Sequence, residues 1–85
     1  MSSNKQAKQT KPDFDVNIAK RVCIQLLGVE LGNAILPQFV KNRTLTVNCL
    51  SSASAEAIRE RQQEIVDKIN EKIGKKDIDR IRYLL

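Results

Sequence analysis

Two cysteines, a pair of glutamates one helical turn apart and a scatter of basic residues are the side chains here with chemistry to offer. Cys23 and Cys49 lie far apart, each inside an apolar periodic segment, with no CxxC spacing. The chain has no histidine, so the commonest general base and metal ligand is missing. Zinc is therefore not expected. The two cysteines read as buried free thiols acting as small hydrophobes, which suits a reducing cytosol. Glu60 and Glu64 stand among bases on a face that should be solvated, where nothing would raise a carboxyl pKa for acid–base work. No serine or cysteine has a base at hand for nucleophilic catalysis. Enzymatic activity and cofactors are not expected.

The basic residues offer a different chemistry, contact with a polyanion. Formal net charge is +5, from fifteen Lys and Arg against ten Asp and Glu. Residues 1–12 hold Lys5, Lys8 and Lys11 and no acid, so most of that excess sits in one short tail. A basic arm suits nucleic acid; a solubilising tail is the plainer reading. Further bases fall in three places: Lys20 and Arg21 on a first helix, Lys41 and Arg43 at a hairpin tip, and Lys75, Lys76, Arg80 and Arg82 around a last strand. These eleven residues are the candidate nucleic-acid-binding set. No apolar run approaches the roughly 20 residues of a membrane span. The opening MSSNKQAKQTK has no apolar core of the kind a secretory signal needs.

The elements that must position these groups follow from pattern. Residues 1–12 are polar enough to remain a disordered tail. Residues 13–85 then form one domain. Pro12-Asp13 signals a helix start, with Asp13 as cap and Asp15 in the first turn. Phe14, Ile18, Val22, Leu26 and Val29 recur at helical spacing, widened by Cys23 and Leu27. Gly28 ends or bends this helix, and GVELGN makes a short extra turn. Ala34–Val40 reads as a strand in which Pro37 demands an edge position or a bulge. Lys41-Asn42-Arg43 is a turn, Asn42 tolerating positive φ. Thr44–Leu50 alternates, with Leu45, Val47 and Cys49 inward and Thr44, Thr46 and Asn48 outward. Phe39 is expected on that outward face too, available to stack on a base or to pack under the first helix or the tail.

Ser51 and Ser52 are N-cap candidates for a helix over about 53–73. Its stripe is Ala55, Ile58, Gln62, Ile65, Ile69 and Ile73, with Val66 beside it and Gln62 as the polar break. Arg59, Glu60, Arg61, Glu64 and Lys68 make a mixed-charge outer face, either solvated or docking a partner. Glu64–Lys68 is the favourable i,i+4 pair there and Asp67–Glu71 the unfavourable one. Gly74 is the expected C-cap. Ile78–Leu85 completes the sheet, with Ile81 and Tyr83 on one face and Arg80 and Arg82 on the other. The fold class is α+β: helix-strand-strand-helix-strand, a three-stranded sheet with both helices on one face.

The ordered string Gly28, Pro37, Leu45-Thr46-Val47, Ser51-Ser52-Ala53, Ile69-Asn70, Gly74 and Ile78-Asp79-Arg80-Ile81-Arg82 resembles the DciA family of bacterial replicative-helicase loaders, with its KH-like domain. The resemblance covers roughly residues 22–83. Cys23 stands where that family commonly has Trp, Ser54 where it often has an aromatic, and Asn42-Arg43 where Asp-Gly or Asn-Gly is frequent. The resemblance implies a KH-like fold and an adaptor that binds the replicative helicase and DNA, in the bacterial cytoplasm. A KH domain usually grips nucleic acid through a GXXG loop. This chain has none; Gly28 to Gly32 has the wrong spacing and an acid inside it. Two alternatives stand beside the adaptor: a stand-alone module binding DNA or RNA, and a structural domain that homodimerises through the Pro37 strand or the final strand.

Overall fold

The computed structural model describes residues 14–85. The expected disordered tail and the Asp13 cap lie outside them. Helix α1 spans Val16–Leu27. Its cap is Asp15 and not a first-turn acid: the Asp15 carboxylate accepts a hydrogen bond from the Asn17 N–H at 2.9 Å. Gly28, at φ 97°, ends the helix and donates its N–H to the Ile24 carbonyl. The extra turn follows as α2, Val29–Asn33. Here Gly32 is needed for space: a Cβ on it would lie 2.6 Å from the Ile24 Cα, so α2 lies directly on the backbone of α1. The break also removes Val29 from the inward stripe, leaving it 64% exposed, while Ala19 joins Val22 and Cys23 in the core.

Strand β1 (Ile35–Lys41) and strand β2 (Thr44–Cys49) form an antiparallel hairpin. Its turn has two residues, not three: Asn42 and Arg43 both take left-handed backbone (φ 53° and 61°), and Lys41 stays in the strand. Consecutive left-handed residues match the twist of the flanking strands. Pro37 brings the expected irregularity. Pro37 pairs with Val47 and Phe39 with Thr46, so Gln38 is an extra residue in β1. This bulge reverses the in–out alternation. Phe39 faces outward and Val40 inward, where an unbroken strand would have placed Phe39 on the same side as Pro37.

Helix α3 spans Ser52–Ile73. The Ser51 hydroxyl accepts from the Ser54 N–H at 3.2 Å, and Gly74 closes the helix in the left-handed conformation. Arg61 interrupts it with φ −123° and ψ 27°. Strand β3 (Arg80–Leu84) then pairs parallel with β2. A parallel neighbour requires a crossover, and α3 supplies it. The mixed sheet runs β1-β2-β3, with β1 and β3 as edges.

One apolar cluster joins Ala19, Val22 and Cys23 of α1, Ile58, Ile65, Val66 and Ile69 of α3, and Leu45, Val47 and Cys49 of β2. It contains no aromatic residue; Phe14 and Tyr83 pack at its margin. Gln62, the polar break, accepts the Ile81 N–H at 2.9 Å and so ties the crossover helix to β3. The helix surface pairs differently from expectation. Arg61 forks onto Glu64, and Lys68 meets Glu71 at 3.3 Å, so Glu64 and Lys68 do not pair. The guanidinium fork makes two parallel hydrogen bonds that an ammonium cannot.

Candidate nucleic-acid interface

The helices cover one face of the sheet; the other carries a groove of about 1010 Å³. Register decides what stands there. Lys41, Thr44 and Arg80 align across the three strands, as do Phe39, Thr46 and Arg82, and then Leu36, Asn48 and Leu84. Successive rows are two residues apart, about 6.7 Å along a strand, and neighbouring strands are about 4.8 Å apart. The face therefore grades from a cationic row at the hairpin end, through a mixed aromatic and cationic row, to an apolar row. Among the described residues, no acid lines the groove. Lys41, Arg80 and Arg82 make no hydrogen bond or ion pair among the described residues, although Arg80 feels the charge of Asp79. Thr46, expected outward, does face the groove, yet it is buried because it lies in the middle strand between Phe39 and Arg82.

Phe39 is 52% exposed and lines this groove. It does not pack under the first helix. The bulge at Gln38 is what delivers it to the open face.

The other expected basic residues go elsewhere. The Lys20 ammonium donates to the Asn33 and Ile35 carbonyls, at 3.1 and 2.8 Å, securing the end of α2 to the start of β1. Arg21 stays exposed and lines a separate hollow of about 280 Å³ with Ile18, Val22, Gln25 and Lys72. Arg43 donates to both oxygens of Asp79, at 2.8 and 2.9 Å, and to the Lys76 carbonyl at 3.0 Å. These hydrogen bonds hold the Asp79 carboxyl below its usual range. Lys75 follows Gly74 and donates its backbone N–H to the Asn70 carbonyl, and Lys76 is exposed beside it. Lys5, Lys8 and Lys11 lie outside the described residues.

Among the described residues, no group of three or more His, Cys, Asp or Glu could hold a metal ion, and no helix is long and apolar enough to cross a membrane.

The sequence matches the family model described as Dna[CI] antecedent, DciA, over residues 4–83. The chain belongs to the DciA family. No curated protein sequence matches it significantly. In this DciA chain Cys23 and Ser54, the two positions at which the resemblance leads one to expect aromatics, are small buried residues. Cys23 is a core residue of α1, and the Ser54 hydroxyl donates to the Ser51 carbonyl at 2.8 Å. Burial pushes the Cys23 thiol up to about 11. Burial also raises Cys49, with the Ser54 hydrogen bond acting against it. Neither thiol is a ready nucleophile.

Sequence reasoning named Asn70 within the family string but missed what its side chain does. Its amide oxygen accepts the N–H groups of Asp77 and Ile78, and its NH₂ donates to the Ile78 carbonyl. It fixes the α3–β3 connection and hence the register that brings Arg80 and Arg82 to the groove. An Asn in a helix otherwise striped with isoleucine was the available signal, because a buried amide must find partners.

Proposed function

We propose that this DciA-family chain is an adaptor in DNA replication that binds the replicative helicase and contacts nucleic acid non-specifically across the open face of its sheet. The observation that carries the nucleic-acid part is the groove itself: among the described residues it brings together the cations Lys41, Arg80 and Arg82, which make no ion pair there, the polar side chains Gln38, Asn42, Thr44, Thr46 and Asn48, and no acid. Such a surface suits phosphate contacts, which position a chain without reading its sequence. The helicase part rests on family membership. The order helix-strand-strand-helix-strand with a mixed three-stranded sheet supports a KH-like description, apart from the added α2. Since no GXXG loop is present, the sheet face takes over the contact. Within this reading Lys41, Arg80 and Arg82 are the principal contacts and the tail lysines add to them. Lys20 and Arg43 contribute less, because their charges already serve carbonyls and Asp79.

Two measurements test this. Mixed at micromolar concentration with the replicative helicase of its own organism, the chain should elute as a complex in size exclusion; separate elution overturns the adaptor reading. Nucleic-acid affinity should fall steeply with salt. Arg80→Gln with Arg82→Gln should lower the logarithmic salt slope by about two, at about one for each phosphate no longer neutralised. An unchanged slope removes the sheet face from the interface. Deleting residues 1–12 should weaken binding several-fold.

A further inference from the structure

We infer that the open sheet face is built for single-stranded nucleic acid, with Phe39 as the platform on which one unpaired base stacks. This rests on the sheet-face reading above and goes further, to the class of nucleic acid and the residue that selects it.

The chain has only three aromatic residues. Phe14 and Tyr83 pack against the core, although Tyr83 also reaches the lining of the groove. Phe39 is turned out by the bulge onto the sheet face that also carries Lys41, Arg80 and Arg82, three cations with no hydrogen bond or ion pair among the described residues. Its row neighbour Arg82 lies two strands away, about 10 Å between Cα positions. A nucleotide whose base lies on the Phe39 ring therefore has its own sugar–phosphate within reach of the Arg82 guanidinium. Toward the hairpin the next row offers Lys41 and Arg80 to the adjoining phosphate. Away from it, Leu36 and Leu84 offer an apolar bed to a neighbouring base.

A duplex cannot use this gradation. Its base faces are hidden in the stack and it presents phosphates outward, so Phe39 and the leucine row would meet charged backbone. Single strands expose base faces, and aromatic side chains take them with little regard to sequence. A second copy laid on this face would bring three further cations to the same groove. An acidic peptide would satisfy the cations but leave Phe39 without a flat partner.

Fluorescence anisotropy on the full chain at one salt concentration tests the inference, with labelled oligothymidylate and a duplex of equal length as probes. The single strand should bind at least tenfold tighter. Phe39→Ala should lose about five- to 150-fold on the single strand, the usual range for one stacked base, and leave duplex affinity and the salt slope unchanged. Phe39→Trp should restore affinity and show indole quenching by the oligonucleotide. Equal affinity for the two probes, equal losses on both, or displacement of the oligonucleotide by polyglutamate of matched charge overturns the inference. If Arg80→Gln with Arg82→Gln weakens binding but Phe39→Ala does not, stacking fails while the sheet-face reading survives. If neither changes binding, the sheet-face reading fails with it.

Discussion

Asn70 is a buried polar side chain whose hydrogen bonds hold the connection between α3 and β3. With three hydrogen bonds to the 77–78 backbone, it substitutes for the strand pairing that this connection lacks. Asn70→Ala strands two N–H groups and a carbonyl in a buried place, each costing about 1–3 kcal/mol when left unsatisfied. Some of these groups will recover water, so a net loss of about 2–4 kcal/mol is expected, read as a fall in the urea midpoint. The binding proposed for the sheet face should weaken in parallel, because β3 loses its anchor. Cys23 behaves in the opposite way, inert as long as the fold is intact. Its thiol keeps its proton up to about 11, against an ordinary value of 9.0. Alkylation at pH 8 should therefore proceed at the rate of unfolding rather than of a free thiol, and denaturant should speed it; rapid labelling of the native chain would contradict the burial. The sign of the pH effect follows. The raised thiol pKa contributes stability that is present in full below pH 9.0 and is lost as pH rises toward about 11. Asp79 works from the other end. The Arg43 hydrogen bonds depress its pKa, so its contribution is present above the ordinary carboxylate range and fades as pH falls through the lowered value. Both partners are half exposed, and salt should screen the effect.

At the level of elements, three irregular places shape the site. The bulge at Gln38 decides which way Phe39 faces. The break at Gly28 folds α2 back onto α1, and Gly32 allows the close approach. Gly32→Ala puts a methyl group against the backbone of Ile24, which cannot move aside as a side chain tip could. A loss of about 1–3 kcal/mol is expected, the usual range for overpacking, against a gain of up to about 1 kcal/mol in helix propensity. A net rise in thermal midpoint would show that α2 can shift freely. The third place is Arg61, where α3 leaves helical geometry. Its guanidinium donates to the Leu26 carbonyl at the end of α1 while also forking onto Glu64. This satisfies a helix-terminal acceptor that would otherwise lack a partner. The caps of α3 were readable from sequence, because Ser51 and Gly74 act on their own neighbours. For α1 the cap falls on Asp15 rather than on the expected Asp13, two acids standing close together there. The role of Arg61 was not readable: its partner lies 35 residues away, and locally it looks like any charge on a solvated face.

The whole molecule depends on a core of isoleucine, leucine, valine and small residues, with no aromatic among them. An 85-residue chain has little margin. Ile65→Ala, at the centre of α3 and fully buried, should cost about 2–5 kcal/mol and bring the unfolding midpoint close to ambient conditions; calorimetry would show it. Leu50, 68% exposed after β2, should tolerate alanine within about 0.5 kcal/mol. Sequence alone determined the identity and order of the main elements, the hairpin, the edge character of the Pro37 strand, the glycine stops and the family. Each of these follows from forces acting within a few residues or from an ordered string of them. Only the tertiary structure decided that β3 runs parallel to β2, that Thr46 is covered, and that Lys41, Arg80 and Arg82 share a face with Phe39 while Lys20 and Arg43 are engaged elsewhere. The reason is register. Thr46 meets Arg82 across 36 positions of chain, an alignment set by the length of α3 and the Asn70 clamp, while the bulge in β1 separately brings Phe39 to the same row; no local pattern encodes either.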